Sequence, residues 1–438
     1  MRIFRICPPL PILRQLHRKK DFLEKSYIEK LEVCLQENIL FPASWTSEME
    51  RLGHEVAETI CDDPILSASW FAENNRKHML FADDMEELFL IEQIRDFNPD
   101  VVIIYAGAAF TVNERVRRRI KMLYPKILIT VFWGDEIPGN TSYAEFFGDL
   151  QFVFTSSDIY SSLFFQVGIS AHTIGNAFDP RFAVPKNIPK KFDVIFCGVT
   201  GYGYSDHIRR YNMLKELLEK DDRIIIFSNE PSYPYPRSSY GSLISMALLK
   251  VMPTSILQLF MRLRPSAESF LQKILFTKLY GIPVTSLLRQ ASHPNYDYFI
   301  GKKPLKRLFR SRTSEFVSSA VDYYDLLRSS KIVVNIHRDE EADIGNIRCY
   351  EVTGLGTCLL TDRGGPLSKR FDLENDIVTF NSIEECISKI DFLLKNPHER
   401  ERIARNGQRK TLEKYTVRDQ CKAISDILVQ QYALSRSS

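Results

Sequence analysis

The sequence predicts an α/β architecture of two Rossmann-like, doubly wound parallel-sheet domains facing a cleft, the second carrying a basic helical insertion. Three observations predict it. Apolar runs of strand length alternate with amphipathic patterns of ten or more residues, which is the signature of βαβ units. A polar, proline-bearing break, Asn176 to Pro180 followed by Pro185, Pro189 and Lys190-Lys191, separates two such series. The stretch Lys331 to Asp362 holds two near-continuous apolar runs, the pattern of parallel strands covered on both faces. The expected domains are 1–185 and 186–438, with the insertion at about 235–312 and the last helix free to pack back on the first domain.

In chain order, Arg2–Ile6 reads as a strand, Asp21–Gln36 as an amphipathic helix and Thr46–Leu52 as the end of another. Glu55–Ile60 is a strand after the Leu-Gly-His turn, Met79–Asp96 a helix, Val101–Ala106 a buried strand, Asn113–Leu123 a basic helix and Ile127–Trp133 a strand. Phe152–Ser156 and His172–Ile174 continue the rhythm. After the break come Phe192–Cys197 as strand, His207–Glu219 as helix and Arg223–Ser228 as strand. The series resumes with Tyr323–Arg328, the Lys331–Asp362 unit and Ile377–Phe380, and closes with helices over Ile383–Leu394, Pro397–Lys414 and Arg418–Gln430.

Composition bounds the rest. With 438 residues, 44% hydrophobic and 26% charged, the chain is ordinary soluble material and long enough for two domains of about 200 residues. The eight cysteines are scattered without a Cys-x-x-Cys pair, and several sit in apolar runs. They read as reduced core residues of a cytoplasmic protein rather than zinc ligands or a disulfide framework. The basic N-terminus is broken by prolines and lacks the apolar run of a signal peptide, and nothing approaches 18 uninterrupted apolar residues.

Within Lys331–Asp362, Gly345-Asn346 offers a turn and a helix N-cap, and Gly354 and Gly356 close the helix. Its N-terminus points out at the carboxyl ends of the strands, where free N–H groups and the helix dipole favour an anion such as a diphosphate. Arg348 and Glu351, three apart, project from one side as exposed residues of the cleft. Glu351 is suited to accept from ribose hydroxyls and Arg348 to neutralise phosphate. An ordinary surface ion pair at helical spacing is the competing reading.

Asp343 stands eight positions before Glu351, ahead of a small-residue Gly-x-Gly turn. That arrangement resembles the donor-site signature of GT-B glycosyltransferases, which normally has Glu at both ends; here the first is Asp. Further residues sharpen the likeness: Asn346-Ile-Arg-Cys-Tyr-Glu351, Thr361-Asp362, and Lys395-Asn-Pro-His-Glu-Arg-Glu-Arg-Ile-Ala-Arg-Asn-Gly407 followed by Tyr415-Thr416. In the first half, Met1-Arg-Ile-Phe-Arg-Ile6, Leu52-Gly-His-Glu-Val56 and Trp133-Gly-Asp135 are also similar. Together they resemble the CgeB-like, spore-maturation type, glycosyltransferases over nearly all of the chain except about 85 central residues. The resemblance implies a transferase that takes a nucleotide-diphosphate sugar as co-substrate, with no cofactor and no metal, and a glycan, lipid-linked or protein acceptor. A sugar-nucleotide epimerase of the same architecture and a non-catalytic nucleotide-sugar or polyanion-binding protein are the alternatives.

Other residues enter on their own chemistry. The loop Cys197 to Asp206 follows a strand and opens the helix carrying Arg209 and Arg210, so Gly198 and one arginine are placed for phosphate, against the competing reading of a plain glycine turn. The Gly-to-Arg spacing resembles the family's. His337 ends a strand at the cleft, and Gly364-Gly365 follows the next strand; each is a candidate to approach the donor, and a structural role for the histidine competes. Asp135, just past a strand of the acceptor-side domain, is the candidate base for an acceptor hydroxyl if the reaction inverts, against the reading of Asp135-Glu136 as solvated loop acids. Asp343 completes the catalytic candidates.

Tyr235 to Arg312 is compositionally unlike the rest. It carries thirteen Lys or Arg against Glu268 and Asp297, a net +11, so the remainder of a chain of net +3 carries −8. Apolar residues interleave with this charge, and such basic amphipathic segments suit the anionic inner face of a membrane. A helical insertion with a solvated basic rim is the competing reading. Nucleic acid is a less favoured partner, because no recognition module accompanies the charge.

Overall fold

The computed structural model describes residues 1–10, 12–38, 42–82, 84–134, 143–184, 186–202, 207–228, 302–317, 319–337 and 345–437. Its strands are β1 Arg2–Cys7, β2 Glu55–Ile60, β3 Val101–Tyr105, β4 Leu128–Trp133, β5 Phe152–Thr155 and β6 Ser170–Thr173, then β7 Phe192–Cys197, β8 Ile224–Phe227, β9 Thr313–Ser314, β10 Ser330–Asn335, β11 Cys358–Asp362 and β12 Val378–Phe380. They form two six-stranded sheets, ordered β2-β1-β3-β4-β5-β6 and β12-β11-β10-β7-β8-β9. Every pairing is parallel. Every residue of β3 and β4 is buried, as their unbroken apolar sequences require of strands covered on both faces. Each sheet reverses its strand order once, between β1 and β3 and between β7 and β10. In such sheets the crevice at the reversal, beyond the strands' carboxyl ends, is where ligands bind.

The helices of eight or more residues among those described are α1 Tyr27–Gln36, α2 Ser44–Arg51, α3 Pro64–Glu73, α4 Met85–Phe97, α5 Glu114–Leu123, α6 Asp158–Gln166, α7 Ile208–Lys220, α8 Ala320–Arg328, α9 Ile347–Gly354, α10 Ile383–Lys395, α11 Pro397–Lys414 and α12 Val417–Ser437. Two expected helices are each broken. The one over Asp21–Gln36 restarts at Ser26, where a capping box with Glu29 opens α1. The one over Met79–Asp96 divides into a 3-10 turn, Lys77–Phe81, and α4. Helix α3 lay outside the sequence reading because PILSASWFAE is apolar on most sides and shows no stripe. Its start is nonetheless specified: Pro64 leads the helix, and Asp63 accepts from the N–H groups of Ile65 at 3.1 Å and Leu66 at 2.9 Å.

The chain passes between the two sheets twice, and the two passages are bonded to each other. Phe178 N donates to Tyr415 O at 2.8 Å, and Val417 N donates to Phe178 O at 2.9 Å. Beyond the second passage, α12 buries Val417, Cys421, Ile424 and Leu428, one face of the helix, in the core of the first sheet. Full burial of such side chains contributes on the order of 1.5–3 kcal/mol each. His54 Nε2 meets Ser425 Oγ at 2.7 Å, and the Tyr432 hydroxyl donates to Asp100 at 2.7 Å. Phe178 also fixes a residue of the second sheet's machinery: a Cβ on Gly354 would sit 2.4 Å from its ring, so only glycine lets α9 lie this close.

Most of the expected basic insertion, residues 229–301, lies outside the described residues. The chain leaves beyond the carboxyl end of β8 and is described again at Lys302, whose carbonyl accepts from the Tyr202 hydroxyl at 3.1 Å; the Lys303 carbonyl accepts from Tyr211 at 2.7 Å. Both roots of the segment therefore stand at the strand-end rim of the second sheet.

Candidate functional site

The site is built where the second sheet reverses, between the ends of β7 and β10 and beneath α9. Gly198 follows β7 with φ +146°, and a Cβ added to it would stand 3.4 Å from Arg348 Nη2, so the loop after β7 and the first turn of α9 meet there. Arg348 Nη1 donates to Glu351 Oε2 at 2.9 Å, and its guanidinium lies 4.9 Å over the ring of Tyr323 from α8. The Tyr323 hydroxyl donates to the same Glu351 oxygen at 2.6 Å. The other oxygen, Oε1, is buried without a hydrogen-bond partner among the described residues.

This corrects the expectation of two exposed cleft residues. Glu351 is 1% exposed, and only Arg348 reaches the surface, with 15% of its side chain accessible. Burial pushes the Glu351 carboxyl above its usual range, and Arg348 and the neighbouring Tyr324 side chain pull it back. One oxygen of this buried carboxylate is doubly satisfied, and the other retains capacity to accept, for which hydroxyls are suited donors.

Beside it runs a second buried network. His337, just past β10, has Nδ1 at 2.8 Å and its backbone N at 2.9 Å from Asp362 Oδ1, and Nε2 at 3.7 Å from Cys349 Sγ. Asp362 Oδ2 accepts from Arg209 Nη1 at 2.7 Å. Burial would lower the His337 pKa, but the hydrogen bonds and charge interactions of Asp362 and Cys349 together outweigh it and hold the pKa well above its ordinary value. Burial would likewise raise Asp362, and the bonds from His337 and Arg209 hold it low instead. The result is a charged triad, cation, anion, cation.

The sequence reading set His337 at the cleft as a catalytic candidate; the structure buries it completely, and its bonds to Asp362 link the ends of β10 and β11. Arg210 donates from Nε to Ile336 O at 2.8 Å and from Nη1 to Val199 O at 3.2 Å, tying the loop after β7 to the end of β10. Asn346 occupies the N-cap position of α9, but its side chain caps nothing there; Nδ2 donates to Asn335 Oδ1 at 3.0 Å. The Gly345 carbonyl accepts from Asn176 of the first passage at 3.1 Å. Gly364 is buried at the head of the 3-10 turn Gly365–Lys369 that follows β11.

Asp135 and Asp343 lie outside the described residues, as does the Asp339–Asp343 run. Among the described residues no group of three or more His, Cys, Asp or Glu is arranged to hold a metal ion, and no helix is long and apolar enough to cross a membrane. Tyr323, Asn335 and Asp362 escaped the sequence reading as site residues. Asp362 carried a signal, an acid closing an apolar strand; Tyr323 carried none, because its helix is brought to α9 only by the fold.

With this geometry in place, comparison with solved structures is decisive for architecture. Sucrose-phosphate synthase of Thermosynechococcus elongatus aligns over 99% of this chain and 100% of its own, at 7% identity and TM-score 0.52. HepE of Anabaena, in complex with UDP and glucose, aligns over 98% and 100% at 10% identity and TM-score 0.51, and in complex with UDP-glucose over 98% and 100% at 11% identity and TM-score 0.50. The fold is GT-B. The family described as "Glycosyl transferase-like" matches residues 270–426, which include β10, α9 and β11. No curated protein matches the chain in sequence.

Proposed function

We propose that the protein is a glycosyltransferase that moves a sugar from a nucleotide-diphosphate donor to a glycan, lipid-linked or protein acceptor, without a metal ion, in the manner of the CgeB-like enzymes its motifs resemble. One observation carries the reading: the buried, half-satisfied carboxylate of Glu351 at the strand-order reversal of the second sheet. Ribose hydroxyls are the donors that would complete Glu351 Oε1. The UDP and UDP-glucose complexes of HepE, a protein of the same architecture, support a nucleotide-sugar donor. Arg348 and Arg209, 15% and 33% exposed at the strand ends, together with the first-turn amides of α9, supply the positive field for a diphosphate in place of a divalent ion.

The acceptor side follows from charge. The net +11 of Tyr235 to Arg312, of which Lys303, Arg307 and Arg310 are exposed among the described residues, supports reversible attachment to the anionic inner face of a membrane, with the cleft beside a lipid-linked or envelope glycan. The test of the donor reading is a thermal-shift panel of UDP-, GDP-, CDP- and dTDP-sugars on the full chain. A sugar nucleotide at 100 times its Kd stabilises by about 2.7 kcal/mol. One class of nucleotide should raise the melting temperature clearly; no shift with any of them overturns the proposal.

A further inference from the structure

Glu37 belongs to the first sheet's half of the molecule, one residue beyond α1, yet its side chain bonds to the other half. Its Oε2 accepts from the backbone N of Ala320, the first residue of α8, at 3.1 Å. Ser319, in the N-cap position, gives α8 no side-chain cap. A carboxylate from across the cleft therefore takes the place that a local Ser, Thr or Asp ordinarily fills, at the positive end of the helix. Ala320 is fully buried. By contrast, the Lys369–Asp158 pair that also links the halves is 65% and 58% exposed at 3.3 Å, in the class of contacts that contributes little.

What α8 carries makes this contact more than an ordinary cap. Tyr323, three residues beyond Ala320 and in the same turn, donates to Glu351 and lies under Arg348. The path from one domain to the candidate donor carboxylate thus runs through a single helical turn: Glu37, Ala320 N, Tyr323, Glu351. Every link is a hydrogen bond or a covalent connection within that turn.

We infer that Glu37 is a positioning residue that couples the approach of the two domains to the donor site, holding α8 where Tyr323 can orient Glu351 for the nucleotide. This rests on the donor-site reading above. A donor that needs Glu351 oriented binds better when the domains are together, and by reciprocity its binding draws them together.

The experiment uses the full chain with Glu37→Ala, Glu37→Gln and the double variant Glu37→Ala/Ser319→Asp. Calorimetry with UDP reads the donor site, and small-angle scattering of the nucleotide-free protein reads domain separation. Glu37→Ala should weaken UDP about five- to tenfold, the lower range of measured couplings between sites, and enlarge the radius of gyration. Glu37→Gln, which keeps an acceptor oxygen, should retain most of the affinity. Ser319→Asp restores a local cap, so the double variant should regain the melting temperature while UDP binding stays weak. An unchanged Kd in Glu37→Ala overturns the inference, as does full recovery of UDP affinity in the double variant, which would make Glu37 a helix cap alone. If the wild-type chain binds none of UDP, GDP, CDP and dTDP, the donor-site reading is what has failed; if it prefers another of them to UDP, that nucleotide replaces UDP in the calorimetry. Scattering judges the Glu37 contact in either case, and an unchanged radius of gyration in Glu37→Ala overturns it.

Discussion

Replacing Glu351 tests the site and its energetics together. In Glu351→Ala the Tyr323 hydroxyl and the mostly buried Arg348 guanidinium both lose their shared acceptor, at 2.6 and 2.9 Å. An unsatisfied buried donor costs about 1–3 kcal/mol, and removing one partner of a buried ion pair about 3–5 kcal/mol. The two overlap here, so a loss of about 3–5 kcal/mol is expected from a total that is ordinarily 5–15 kcal/mol. Glu351→Gln keeps the shape and one acceptor oxygen, and about 1–2 kcal/mol is the expected loss. Both variants should bind the nucleotide that stabilises the wild type about 100-fold more weakly, equivalent to about 2.7 kcal/mol, because ribose hydroxyls lose a charged acceptor. Urea denaturation of the full chain and calorimetry on the folded Glu351→Gln variant measure the two effects separately. Unchanged nucleotide affinity in Glu351→Gln would refute the donor role, and an unchanged denaturation midpoint in Glu351→Ala would refute the burial argument.

Three further outcomes are expected. Turnover should persist in EDTA if, as proposed, arginines and helix amides take the place of a divalent ion; loss restored by manganese or magnesium would contradict this and point to the Asp339–Asp343 run as a metal loop. Glu86 accepts from Asp62 N at 2.7 Å and Ser67 Oγ at 2.9 Å, and burial, with repulsion from Asp62 and Asp63, pushes its carboxyl up to about 7. The folded state therefore binds the extra proton between the ordinary carboxyl range and pH 7, and stability falls as pH rises through that window, by about 3 kcal/mol in all. Glu86→Gln should remove this fall, and parallel pH profiles of the two proteins in urea would disprove it. Finally, the chain should co-sediment with anionic liposomes in a salt-sensitive way and less so when Lys302, Lys303, Lys306 and Arg307 are neutralised together; absence of binding at low salt would end the membrane reading, and tighter binding to DNA would favour a polyanion partner.

The sheets were legible because burial on both faces leaves continuous apolar runs: Val101 to Tyr105, Leu128 to Trp133 and Ile332 to Val334 announce themselves without alignment. Helix α3 was not, because a helix enclosed on most sides loses the stripe by which helices are read. At the site, the three-residue spacing of Arg348 and Glu351 placed them on one side of α9, where they form the ion pair that was the competing reading, buried and not on the surface, beside Tyr323 from another helix. Phe178, which presses on Gly354, belongs to a linker that reads in sequence only as a break. Local spacing encodes which side chains share a helix face; it does not encode what the fold brings over that face.

The enclosed histidine shows how charge is held at the rim of the second sheet. His337, Asp362 and Arg209 form a chain of two cations about one anion, held by contacts of 2.8 and 2.7 Å, and both pKa displacements run in the direction that keeps all three charged. The triad therefore carries a net positive charge, placed by β10, β11 and α7 at the carboxyl ends of parallel strands, one strand away from the order reversal at β7. Arg348 and Glu351 add a pair that cancels until a ligand's hydroxyls share the carboxylate. A buried ion pair with no further use is often no better than a well-packed apolar pair. On the proposed donor reading the arrangement has a reason beyond stability: charge and amides oriented before any ligand arrives would meet a diphosphate entering the crevice, instead of water that must reorganise around it.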